Sequence, residues 1–109
     1  MTVAEIAEKL NMEIITCEAN AGREVKGIYI CDLLSWVMSH ANEDDLWITV
    51  LTNLNTVAVA VLANVACVVI PEEITVENDT LRKAEEEGVI MLKSSMQAAE
   101  ICVKVNELL

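Results

Sequence analysis

Two short runs, residues 46–51 and 66–70, constrain this chain most. Both are apolar almost throughout and rich in β-branched residues, so neither offers a polar face to water. Strands of that kind are buried on both sides, as in a parallel sheet whose crossovers carry helices. The segment between them, residues 56–63, decides the topology. Val57-Ala-Val-Ala-Val61 alternates as a strand does and would turn the three runs into a meander. Alanine, however, favours helices and is depleted in strands, and two parallel strands need a long crossover. The segment is therefore read as a helix capped by Asn53 or Asn55, apolar all round and so covered on both faces.

The flanking sequence extends the same pattern. Thr2-Val-Ala-Glu5 is a capping box that opens a helix to about Leu10, with Val3, Ile6, Ala7 and Leu10 on one face. Residues 13–18 read as a strand, residues 19–22 as a turn, and residues 26–31 as a second strand with Ile28 and Ile30 facing opposite to Tyr29 and Cys31. Asp32 is placed to cap a helix whose stripe is Leu33, Leu34, Val37, Met38 and Ala41, and an acidic connection follows at residues 42–45. Pro71 stops the strand at 66–70. A polar helix then opens at Thr75 or Asn78 and ends at Gly88. Residues 89–92 form the last strand. Ser94-Ser-Met-Gln97 reads as a second capping box, opening a helix with Ala98, Ile101, Cys102, Val105 and Leu108 inward and Met96, Ala99 and Val103 outward. The expected order is α-β-β-α-β-α-β-α-β-α: a mostly parallel central sheet of four to five strands flanked by helices, in a single domain over residues 1–109.

Composition narrows the function classes. Seven Lys and Arg stand against 18 Asp and Glu, a formal net charge of −11. Such a chain is repelled by phosphate backbones and anionic membranes, so neither nucleic acid nor membrane is expected as a partner. The four cysteines are widely separated within apolar runs, and His40 is the only histidine. No metal-ligand spacing results, no cofactor is implied, and buried reduced thiols in the cytoplasm are the reading. The N-terminus lacks the order of a signal peptide, and the longest apolar run is shorter than the ~20 residues of a membrane span.

The stretch Arg23-Glu-Val-Lys-Gly-Ile-Tyr-Ile-Cys-Asp-Leu-Leu-Ser-Trp-Val-Met38, followed by Asp45-Leu-Trp-Ile-Thr-Val-Leu-Thr-Asn-Leu-Asn55, resembles the small stand-alone DRTGG-domain proteins. The resemblance runs from Thr2 to Leu109 and extends to the N-terminal module of HPr kinase/phosphorylase. It implies a regulatory module. The eponymous Asp-Arg-Thr is expected within residues 52–56, which here read Thr-Asn-Leu-Asn-Thr, and the Gly-Gly near Pro71 and Glu72 is absent. No phosphate-binding loop is present, so the kinase chemistry of those relatives is not expected.

Ligands of open parallel sheets sit at the carboxyl ends of strands. Thr52, Asn53 and Asn55 offer hydroxyl and amide groups beside a helix N-terminus, suited to phosphate or carboxylate, though Asn in such places is also an ordinary cap. Asp32, Trp36 and His40 form the second candidate group. Trp36 and His40 are helix neighbours that could stack an adenine-sized ring or anchor a partner helix. Ser39 adjoins His40, so their side chains should diverge, which argues against a Ser-His-Asp triad. Arg23 is expected in a surface ion pair. The outward apolar residues of the last helix and of residues 56–63 call for cover, which a second copy would supply. The expected function is a non-catalytic regulatory, interaction or small-ligand-sensing domain, homodimeric. The alternative is an adenine-nucleotide-binding module that uses the turn at residues 52–55 and Trp36.

Overall fold

In the computed structural model, which describes all 109 residues, the apolar runs become the centre of one five-stranded sheet. The elements are α1 (Val3–Lys9), β1 (Glu13–Ile14), β2 (Gly27–Ile30), α2 (Leu34–His40), β3 (Asp45–Ile48), α3 (Leu54–Ala63), β4 (Cys67–Ile70), α4 (Asn78–Glu87), β5 (Met91–Lys93) and α5 (Ala98–Leu108). The strand order is β1-β5-β4-β3-β2. β2 to β5 are parallel, and β1 pairs antiparallel with β5 at one edge.

Strand alternation sorts the core into two layers. Leu46, Ile48, Cys67, Val69 and Leu92 face α1 and α5, where Val3, Ile6, Ile101 and Val105 are fully buried. Trp47, Val68, Ile70 and Met91 face α2, α3 and α4 through Val37, Val57, Ala60 and Ala84. Trp47 is wholly buried, and its Nε1 donates to the Cys31 carbonyl at 3.0 Å, so its one polar atom is satisfied. Gly27 lies so close to the Asp45 carboxylate that a Cβ would stand 2.5 Å from Oδ1. Gly88 ends α4 at φ 74°, a left-handed cap.

The meander alternative falls, because residues 57–62 are helical within α3. α3 is not covered on both faces, however. Its inner side meets the sheet, while Leu54, Val61 and Leu62 are exposed. The predicted stripe of α2 is also only half right. Val37 is buried and Leu34 and Ala41 are partly so, whereas Leu33 and Met38 lie out in solvent. A seven-residue helix has one sheet-facing line and no second layer above it.

Two further expectations change. β1 stops at Ile14 because Thr16 takes over the pairing with its side chain: Oγ1 donates to Val89 O at 2.7 Å and accepts from Met91 N at 2.9 Å. Cys17 then turns left-handed at φ 52° into a short 3-10 turn at Glu18–Asn20. The second capping box does not form. Ser94 Oγ instead accepts from Met96 N within its own turn, α5 starts at Ala98, and Met96 packs partly into the core. Ala99 and Val103 do point outward.

Candidate functional site

β2 and β3 run parallel, so the loops after them open on the same end of the sheet, next to the starts of α2 and α3. Asp32 follows β2. Its Oδ1 accepts from Thr49 Oγ1 at 2.7 Å and from Val50 N at 3.0 Å, tying the end of β2 to the end of β3. The expectation that it caps α2 is thereby overturned. Leu33 holds the N-cap position without a side-chain bond, while the buried Thr49 hydroxyl and the Val50 amide, just past the end of β3, take the Asp32 carboxylate.

Asn53 does cap α3, its Oδ1 accepting from Asn55 N at 3.0 Å. Thr56 adds a buried hydroxyl that donates to Leu51 O at 3.1 Å. Thr52 is half-buried, and Asn55 is exposed with a side chain that makes no hydrogen bond within the chain.

On α2, the rings of Trp36 and His40 stack with centroids 3.8 Å apart and planes inclined by 12°. His40 Nδ1 lies 3.0 Å from the Trp36 carbonyl. Ser39 and His40 do not diverge as expected, since Ser39 Oγ is 2.8 Å from the same Nδ1. The reason is local. His40 is the last residue of α2, and Ser39 bonds back to the Ser35 and Trp36 carbonyls at 3.1 and 3.2 Å, so both groups converge on one carbonyl. Asp32 is bound elsewhere, and the three residues form no triad.

None of the four surface clefts is lined by Asp32, Trp36, His40, Thr52, Asn53 or Asn55, so the rim is open. The strand order gives a physical reason. β2, β3, β4 and β5 step one way across the sheet with α2, α3 and α4 on a single side, so no reversal opens a crevice between diverging crossovers.

At the opposite end a polar network was missed by sequence reasoning. Arg23 grips Asp44 Oδ1 through Nε and one terminal nitrogen at 3.0 and 2.9 Å, and donates to Asn64 O. Lys26 adds an ion pair to Asp44 at 3.4 Å, and Asn64 donates to Glu43. The Arg23 guanidinium, aided by Lys26, holds the Asp44 carboxyl below its usual value. The ion pair expected of Arg23 is present, but its partner lies 21 residues away. Only Asn64, the left-handed cap of α3, carries a local signal that could have announced this corner. Of the cysteines, Cys17 and Cys67 are buried and Cys31 and Cys102 partly so. Burial raises the thiols of Cys17 and Cys67, with Glu85 adding to the effect at Cys17, so both stay protonated and unreactive.

A family model described as the DRTGG domain matches residues 5–108. The chain belongs to the DRTGG-domain family. It is similar to the crystal structure of the CBS and DRTGG domains from the regulatory region of a Clostridium perfringens pyrophosphatase, complexed with its activator diadenosine tetraphosphate. The TM-score is 0.73 at 12% identity, over 92% of this chain and 44% of that one. The DRTGG domain here thus spans less than half the length of its structural neighbour, and at that identity the likeness is one of fold. No curated protein matches. Beside Pro71, where Gly-Gly was expected near Pro71 and Glu72, the left-handed residues are Glu72 and Glu73, with φ of 57° and 56°, the conformation glycine takes without steric cost. Their amides donate to Met96 O and Ser94 O, so pairing across the loop holds the turn without glycine.

Proposed function

We propose that this DRTGG domain is a non-catalytic cytoplasmic regulatory module that senses a small ligand at the rim formed by the ends of β2 and β3, and that works as a homodimer. The observation supporting regulation over catalysis is that Ser39, Asn53 and one oxygen of Asp32 are engaged in the fold. Asp32 Oδ1 is bonded twice, Ser39 Oγ lies among two carbonyls and an imidazole, and Asn53 is a cap. A nucleophile needs a free line to substrate, whereas Ser39 Oγ, the hydroxyl beside His40 Nδ1, is held by the Ser35 and Trp36 carbonyls. Binding asks less. Trp36, 52% exposed, offers a stacking face, and Thr52 and Asn55 stand beside the start of α3.

A native mass spectrum of freshly purified protein tests the sensing role directly, since a co-purified metabolite adds its mass to the chain. Calorimetric titration with ATP and with diadenosine tetraphosphate then separates the readings. Nucleotide binding at this rim predicts saturable heat that Trp36→Ala and Asn55→Ala abolish. Asn53→Ala lowers stability by about 1 kcal/mol in either case through loss of the cap, so only the binding heat is decisive. Saturable binding untouched by all three substitutions would move the ligand off this rim. No bound mass and no heat would leave protein docking as the regulatory mode.

A further inference from the structure

β2 is the edge of the sheet opposite β1, hydrogen-bonded to β3 on one side and to no strand on the other. The ladder shows which of its main-chain groups are free. Cys31 N donates to Ile48 O, while Asp45 O and Thr49 N are used by β4. On β3 the even-numbered residues therefore serve β2, and on β2 the odd-numbered residues serve β3. Ile28 and Ile30 are left directing their N–H and C=O groups outward. A row of unpaired groups of this kind is a template for another strand, which natural sheets usually block with bulges, prolines or inward-pointing charges. Residues 27–30, Gly-Ile-Tyr-Ile, contain none of these.

We infer that two copies of this chain pair through β2 about a two-fold axis at Tyr29, joining their sheets into one; this rests on the homodimer of the proposed function and names its surface. A two-fold axis through an edge makes the strands antiparallel. Centred on Tyr29, it sets Ile28 opposite the partner's Ile30 and Ile30 opposite the partner's Ile28, so every outward N–H and C=O of these residues finds a partner. Shifting the axis to Ile28 would use Lys26 instead, whose amide is already bonded to Asp44 O. The same register places Lys26 opposite the partner's Asp32, twice by symmetry. Lys26 has a side chain 71% exposed, and Asp32 Oδ2 makes no hydrogen bond within its own chain. Ile30, 46% exposed, gains apolar cover from the partner's Ile28.

Sedimentation velocity on the full chain and two variants tests the pairing. Ile30→Pro removes an outward N–H that the fold does not use, at an edge where proline is tolerated. It should remain folded by circular dichroism yet associate roughly thirtyfold more weakly, one hydrogen bond being lost from each copy. Tyr29→Cys places two thiols at the axis as a non-hydrogen-bonded pair with Cα atoms about 4.5 Å apart, within reach of a disulfide. Copper-phenanthroline, taking two electrons as two thiol protons leave, should convert this variant to a covalent dimer and leave the parent chain unlinked. If Ile30→Pro does not fold, the cross-link alone decides. A dimer that survives Ile30→Pro and does not cross-link through Tyr29→Cys overturns the edge pairing while sparing the homodimer. A parent chain that sediments as a monomer overturns both.

Discussion

At the scale of single residues, this protein leaves few polar atoms unsatisfied, and one exception is informative. Thr80 lies in the first turn of α4 with its Oγ1 buried and without a hydrogen-bond partner. A buried hydroxyl that has given up water and found nothing in return is a net loss. Thr80→Val keeps the branched shape and removes the orphaned oxygen, so stability should rise by about 1 kcal/mol, read as a higher urea midpoint at unchanged m-value. A fall would mean that the hydroxyl works in the fold. Thr56 and Thr16 are the counterexamples, since each hydroxyl is bonded to a main-chain group of a neighbouring segment. Valine at either position should destabilise.

At the scale of elements, what the sequence revealed depended on how local the cause was. α1 could be read outright, because its capping box and its buried Val3, Ile6 and Ala7 lie within one turn or two of each other. α3 was read correctly from its alanines and Asn53, but its exposure was not, because cover is a property of neighbours. Asp32 shows the limit most clearly. Helix capping is the best local use of an Asp before a helix, yet a long-range demand from Thr49 and Val50 overrode it. The Arg23–Asp44–Asn64 corner was equally hidden, since it joins the approach to β2, the loop before β3 and the end of α3. That corner has a pH signature. The folded pKa of Asp44 lies below its unfolded value, so the folded state binds fewer protons and the contribution is complete above the unfolded value near 3.8. It is lost as pH falls through the folded value. Melting temperatures of the parent and of Asp44→Asn should therefore differ most near neutrality and converge below pH ~4. A constant offset across that range would show that the carboxylate's charge is not what holds the corner.

At the scale of the whole molecule, charge and shape pull against each other. Each chain carries −11, while exposed Leu33, Trp36, Leu62 and Val103 and the open edge at β2 favour contact. Bringing two such chains together concentrates like charge at long range, and only the Lys26 pairs oppose this at close range. Long-range repulsion is screened strongly by salt, because the Debye length shrinks from roughly 14 Å near 0.05 M to under about 5 Å near 0.5 M. Contacts buried between paired strands are screened far less. Net repulsion therefore predicts that dimer affinity rises with sodium chloride over this range, by sedimentation equilibrium at fixed pH, contrary to the weakening expected of an interface held by charge pairs. Affinity that falls with salt would instead assign the interface to Lys26 and its partner carboxylate, and would make Lys26→Met, in place of Ile30→Pro, the substitution that separates the copies. An affinity indifferent to salt would place the acidic residues far from the contact. β2 would then be the less fitting surface, since Glu24 and Asp32 flank it at either end.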